Sequence, residues 1–196
     1  MPTKIQGGLG IDKVQDGTVG VSDVDTELYG KITALTTINL GEAKTASGTV
    51  VDFVGIPEGV KRVTVMFDGV STNGANNLAL QLGTSGRIET TGYSGQLFNA
   101  TNTQAAQIYT NPSNMILLQT LWGAASTVSG SIVLELVHGN MFVITGMLAC
   151  APDTYNRMSF VGARKVLAGD LGCIRITNQN GTDQFDAGTI NISWEF

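Results

Sequence analysis

Few residues of this sequence are suited to catalysis or to metal binding. The chain of 196 residues has one histidine, His138, and two cysteines, Cys150 and Cys173. A metal site built from several histidines is excluded, and a Ser-His-Asp triad would depend on His138 without a G-x-S-x-G motif to support it. Because Gly139 and Asn140 follow it, we predict that His138 is exposed at a hairpin turn. Two cysteines are too few for a disulfide framework, so we predict buried thiols; the alternative is one bridge between neighbouring strands.

Carboxylates are the other candidates for chemistry, since pairs of Asp or Glu side chains cleave glycosidic bonds. Glu135 lies inside an apolar stretch, and we predict that it points outward from a strand. Asp183 and Asp186 could bind Ca²⁺, but the twelve-residue calcium-loop pattern is absent, so we predict that both form turns. The other candidates considered are Asp52, Glu58, Asp68, Glu89, Asp153 and Asp170. No catalytic arrangement emerges, and we expect neither an enzyme nor a bound metal or cofactor.

Four aromatic residues in or near expected loops are candidates for contact with a carbohydrate or a receptor. They are Tyr93, Tyr109, Trp122 and Tyr155. Their rings could stack on sugar faces, while Asn and Thr side chains form hydrogen bonds with hydroxyl groups. The same composition is typical of an ordinary β-protein surface, so both interpretations stay open.

The composition indicates the fold class. The chain contains 25 Gly and 23 Thr, with 42% hydrophobic and only 14% charged residues. Gly and Thr are weak helix formers, and Thr favours strands. The formal net charge of -5 argues against binding to nucleic acid or to an anionic membrane. No apolar run reaches the ~18 residues of a spanning helix, and residues 1–10 lack the apolar block of a secretory signal.

Alternation of apolar and polar residues predicts several strands. In VKRVTVMFDG (60–69), Val63, Val65 and Phe67 share one face, and TINISWEF (189–196) alternates in the same way. SIVLELV and MFVITGMLAC flank the turn at 138–140 as a hairpin, and CIRIT (173–177) precedes the turn signal Asn180-Gly181. Further strands are expected near 49–54, 77–82, 86–91, 114–122 and 157–166. About ten strands indicate an all-β protein, an antiparallel, jelly-roll-like β-sandwich over residues 45–196.

The beginning of the chain differs from the rest. Residues 1–30 hold two Lys, five Asp or Glu and several glycines, so this segment cannot bury much apolar surface by itself. We predict that residues 1–44 are an extended arm, which needs a partner to become ordered, and a short linker. Heptad-like spacing over residues 21–35 is compatible with a short coiled stalk, and the alternative is an extended linker.

Two segments resemble a module of bacteriophage and prophage structural proteins. The first is residues 46–93, above all VDFVGIPEGVKRVTVMFDGVSTNG and QLGTSG, and the second is IRITNQNGTDQFDAGTINISWE, residues 174–195. The phrase IDKVQDGTVGVSDVD is similar to segments at the start of phage tail-fibre proteins. Residues 97–155 carry no such resemblance.

The resemblance implies a virion protein, assembled in the cytoplasm of a bacterial host. It would be a short fibre or capsid-decoration protein that attaches through residues 1–30 to other virion proteins, of the capsid or the tail. Such appendages are usually homotrimers with a β-sandwich head. A shaft is nearly absent here, which favours a short head fibre or capsid decoration over a long fibre. The alternative is a tail-fibre protein that binds a receptor or a host-surface glycan. Neither nucleic-acid binding nor membrane insertion is expected.

Overall fold

A computed structural model describes residues 38–102, 105–120, 123–151 and 156–196. The predicted arm of residues 1–30, the stalk of residues 21–35, and both Trp122 and Tyr155 lie outside these ranges. The described residues form fourteen strands and no helix.

The strands form two sheets in which every pairing is antiparallel. The large sheet has the order β1 (Asn39–Leu40), β14 (Phe185–Glu195), β4 (Arg62–Thr72), β10 (Thr127–His138), β11 (Met141–Ala151), β12 (Arg157–Val166), β7 (Tyr93–Thr101) and β8 (Gln107–Thr110), and β2 (Lys44–Thr45) also pairs with β14. The small sheet has the order β3 (Val50–Val54), β13 (Cys173–Asn178), β5 (Leu78–Thr84) and β6 (Arg87–Ile88), and β9 (Ile116–Gln119) pairs with β5.

The core lies between the two sheets, as the alternating pattern predicts. Val63, Val65 and Phe67 of β4 are buried together with Ile174 and Ile176 of β13. Burial of such side chains stabilises the fold by roughly 1.5–3 kcal/mol each. The predicted antiparallel β-sandwich is therefore confirmed, while its jelly-roll connectivity stays a prediction.

Glycines lie in the predicted turns because they adopt the left-handed conformation without a steric penalty. Gly139 has a φ of 51° between β10 and β11, and Gly181 has a φ of 68° after β13. The resulting β10–β11 ladder runs from Thr127↔Ala151 to His138↔Met141. Both predicted turns are confirmed.

The strand predictions need three corrections. The structure has fourteen strands rather than about ten, and β7 and β8 were missed because Ser94, Gly95 and Gln96 make β7 look like a loop. The strands expected at 86–91 and 114–122 are shorter, namely β6 and β9. The two short strands β1 and β2 were not predicted either, and both pair with β14 within the compact unit of residues 38–196.

Candidate interaction surface

The outer face of the large sheet carries a row of apolar side chains across four adjacent strands. Ile108 of β8 lies opposite Phe98 of β7, which lies opposite Phe160 of β12, which lies opposite Met147 of β11. All four are exposed. Directly opposed residues of antiparallel strands are side-by-side neighbours on one face. The four residues therefore form a continuous strip, here called the apolar row.

The apolar row contains a pair of packed aromatic rings, and a second row of apolar residues lies next to it. The rings of Phe98 and Phe160 have centroids 5.9 Å apart and are tilted by 53° relative to each other. Aromatic pairs prefer this kind of geometry. One step along the strands, the exposed Met158 lies between Ala100 and Ala149. The apolar row and these three residues together are called the apolar patch.

A shallow groove continues the apolar patch at its Met158 side. Its volume is about 460 Å³. Its lining includes Ala100, Ala149, Ala151, Met158 and Phe160. These five residues belong to β7, β11 and β12, so the groove is part of the same sheet face, and Asn102 and Arg157 also line it.

Four charged residues of the same outer face lie at the opposite ends of the strands, while the exposed Asp68 of β4 lies beside Ser129 of β10, level with Ala149. Arg164 of β12 and Glu135 of β10 belong to one cross-strand row with Arg62 and Glu195. The Arg62 guanidinium lies 3.6 Å from the Glu135 carboxylate and 3.9 Å from that of Glu195. Such exposed pairs contribute at most about 1 kcal/mol each. Arg62, Glu135 and Glu195 are thus paired within this row, whereas the apolar patch contains no charged residue.

Tyr93, a predicted carbohydrate contact, is buried, and that prediction is corrected. The backbone N–H of Leu82 donates to its phenolic oxygen at 2.7 Å, and the carbonyl of Glu89 lies 2.8 Å from that oxygen. Burial raises the pKa of this phenol far above its ordinary value. Tyr93 belongs to β7 and Leu82 to β5, so the hydroxyl links the two sheets. It cannot stack on a surface sugar.

Tyr109 is half-buried and packs against the core. It lies opposite Leu97, and its hydroxyl donates to the side-chain oxygen of Gln107 at 2.6 Å. Trp122 and Tyr155 lie outside the described ranges, and of the two predicted residues that are described, neither Tyr93 nor Tyr109 is exposed. Within those ranges the exposed aromatic pair is Phe98 and Phe160 instead.

Consecutive apolar residues in the sequence indicate the apolar patch, although the sequence prediction did not identify this patch. Phe98 follows the buried Leu97, Phe160 precedes the buried Val161, and Met147 precedes the buried Leu148. Adjacent residues of a strand point to opposite faces, so consecutive apolar residues make both faces apolar.

The predictions for His138 and Glu135 are confirmed. His138 is exposed at the end of β10, beside the turn at Gly139. Glu135 is exposed in the same strand. Within the part of the chain that the structure describes, no group of three or more His, Cys, Asp or Glu residues could hold a metal ion.

The turn prediction is confirmed for Asp183 and corrected for Asp186. The Asp183 carboxylate accepts from the side-chain amide of Asn180 at 2.7 Å and from the backbone N–H of Asn76 at 3.2 Å. Asp186 instead lies within β14, where it accepts a hydrogen bond from Ser71 of β4. The register irregularity next to it in the β14–β4 ladder explains why it resembles a turn residue.

The two cysteines are buried thiols, as predicted, and they lie in different sheets. Cys150 lies in β11 of the large sheet and Cys173 in β13 of the small sheet. The Cys173 thiol donates to the carbonyl of Thr84 at 3.2 Å. Burial raises the pKa of Cys173, which favours the neutral thiol over the thiolate.

One of the candidate carboxylates, Glu89, forms an ion pair with a buried lysine. The Lys165 ammonium donates to Glu89 and lies 5.3 Å from the centroid of the Tyr93 ring. The other Glu89 oxygen accepts from the backbone N–H of Ala168 at 2.8 Å. Burial alone would raise the pKa of Glu89, but the hydrogen bonds from Lys165 and Ala168 outweigh it, so the pKa is lowered. The pair connects β12 with the residue after β6 and thereby joins the two sheets.

Comparisons with protein-family models, with curated proteins and with solved structures find no match for this chain. Among the described residues, no helix has the length and hydropathy needed to cross a membrane.

Proposed function

We propose that this chain is a bacteriophage virion structural protein, a short fibre or capsid-decoration protein. Its N-terminal arm would attach it to the particle, and residues 38–196 would form the head of a homotrimer. One observation carries the proposal: the two separate segments that resemble phage structural proteins fold into one half of the sandwich. Residues 46–93 supply β3 to β6, and residues 174–195 supply β14 and nearly all of β13.

These two segments are joined by direct strand pairing in both sheets. In the large sheet β14 pairs with β4, with Ile192 opposite Val65. In the small sheet β13 lies between β3 and β5. There Arg175 forms two hydrogen bonds of 2.7 Å to the carboxylate of Asp52 on β3. Sequence stretches about eighty residues apart thus form one packed unit, as expected for the two ends of a single module.

The composition of the arm supports attachment. Residues 1–30 are acidic and glycine-rich, and such a segment gains order by packing against another surface rather than on itself. Three arms joined through one head would bind a particle with avidity, even if each single contact were weak.

The proposal is tested by deleting residues 1–37 and measuring incorporation into particles made in cells that lack the wild-type copy. We expect the truncated chain to remain folded and to be missing from purified particles, while the full chain is incorporated. A full-length chain with Val137→Glu, an exposed position at the end of β10, is the control and should be incorporated normally. Incorporation of the truncated chain at the wild-type level would contradict the attachment role. Immunogold labelling of intact particles then separates capsid decoration from a tail position.

A further inference from the structure

We infer that the apolar patch is the surface through which copies of this chain associate, so that its occupant is a second copy of the same head. This inference rests on the proposed homotrimer and adds the surface that forms it. Three observations support it: the exposed apolar area, the absence of charge, and the shape of the face.

The exposed apolar area matches what a stable interface needs. The exposed fractions are 65% for Ile108, 37% for Phe98, 44% for Phe160, 47% for Met147 and 40% for Met158. At roughly 200 Å² for a fully exposed side chain of this size, these five leave roughly 450 Å² of apolar surface. A standard interface buries about 800 Å² on each partner, of which about 57–65% is apolar, or roughly 450–520 Å². The apolar patch therefore supplies the apolar share of one side of such an interface.

The chemistry of the apolar patch favours an identical partner. A patch without charged residues offers no complementarity to a basic or acidic partner, whereas the same patch on three copies can pack together around a three-fold axis. The heads, residues 38–196, hold eight Lys or Arg and eleven Asp or Glu residues, and this net charge of -3 makes them repel one another at long range. Arg62, Glu135 and Arg164 lie at the far ends of the strands, and the exposed Asp68 lies on β4, two strands away from β11, so the patch residues themselves bring no charge into the contact.

The shape of the face permits close approach. Next to the apolar row lies a cross-strand row formed by Gln96, Gly162 and Thr145. A Cβ added to Gly162 would meet nothing within 4 Å, so the surface beside the apolar row is low and open. Two sheet faces pack about 10 Å apart when side chains interdigitate, and small residues beside large ones allow this.

The experiment measures the mass of the full-length chain by sedimentation velocity and light scattering at micromolar concentration. We expect the wild type to have three times the 20.6 kDa chain mass. Phe160→Glu and Met147→Glu should each raise the dissociation constant roughly a hundredfold or more, because each places a charge in a desolvated contact. Val137→Glu, which adds the same charge at an exposed apolar position outside the apolar patch, should keep the wild-type mass.

Methionine oxidation gives a second readout that does not depend on charge. Met147 and Met158 should react slowly with peroxide in the associated wild type and faster in the variant Ile108→Ser, as measured by peptide mass spectrometry. Far-UV circular dichroism identifies any variant that fails to fold. If a Glu variant fails, the paired changes Ile108→Ser and Met147→Ser replace it.

A monomeric wild type, or Phe160→Glu and Met147→Glu variants that keep the full mass, would overturn the inference. The result is separable from the test of function. A monomer that still enters particles would refute the association surface but leave the virion role in place. A head that associates but is absent from particles would refute the virion role but leave the association surface in place.

Discussion

Loss of the Glu89 carboxylate should destabilise the fold strongly, because its partner is buried. The Lys165 side chain is only 4% exposed, whereas Glu89 is 17% exposed. Glu89→Gln keeps the shape of the side chain and an acceptor for the Ala168 N–H, but it leaves the ammonium with only the Val166 carbonyl and the face of the Tyr93 ring. Breaking a buried ion pair from one side costs about 3–5 kcal/mol. Since Glu89 is partly solvated, we expect a loss of about 2–4 kcal/mol, which for a chain of this size lowers Tm by about 5–15 °C.

The loss should depend on pH in a defined direction. The pKa of Glu89 in the folded state lies below the ordinary value of 4.5. A lowered pKa means that the stabilising contribution is fully present above pH 4.5 and disappears as the pH falls through the folded-state value. The difference in unfolding free energy between the wild type and Glu89→Gln should therefore shrink below about pH 4.5.

Urea denaturation at fixed protein concentration, at pH 7 and at several values below pH 5, measures both effects. Glu135→Gln is the matched control, because Glu135 is an exposed partner of Arg62 and its loss should cost no more than about 0.5 kcal/mol. The double variant Glu89→Gln with Lys165→Met should be less destabilised than the sum of the two single variants, since no unpaired buried charge remains. A cost at Glu89 as small as that at Glu135, or additive single effects, would refute this reasoning.

Three further outcomes follow from buried groups and close backbone contacts. Tyr93→Phe should cost about 1–3 kcal/mol of unfolding free energy, because the Leu82 N–H loses its hydroxyl acceptor in the core; equal denaturation midpoints would contradict this. Gly146→Ala should destabilise the fold by more than about 1 kcal/mol, since its Cβ would lie 2.4 Å from a carbonyl oxygen. Gly162→Ala should be neutral or stabilising, because its Cβ would meet no atom within 4 Å. Thermal melts compare the Tm of the two variants. Cys173 should resist alkylation at pH 8 until urea unfolds the chain, because its thiol is buried and its pKa is raised; rapid labelling of the native protein would disprove the burial.

Much of the fold could be predicted from local patterns. The faces of β4 and the β10–β11 hairpin follow from strict alternation and from a glycine at the turn, which are local properties of the chain. The exposure of Glu135 follows from the same alternation. Strands with weak alternation were missed: β7 carries Ser94, Gly95 and Gln96 before its apolar end, and β8 has only four residues.

The candidate site was harder to predict, because aromatic residues were assigned by loop position rather than by face. Tyr93 begins β7 and turns inward to the Leu82 backbone, whereas Phe98 in the same strand turns outward. The sequence showed apolar residues at both 97 and 98, but the period of two alone does not say which of them faces the core. That choice depends on which side of the strand the small sheet covers.

By itself the sequence determined that this is an all-β protein with one histidine, few charges and glycine-marked turns, because strand alternation and turn conformation are local preferences. The tertiary structure alone decided which distant residues meet. It placed Lys165 beside Glu89, and it aligned Ile108, Phe98, Phe160 and Met147 in one row. Strand order and register produce these contacts, and both depend on how two whole sheets bury their apolar faces against each other.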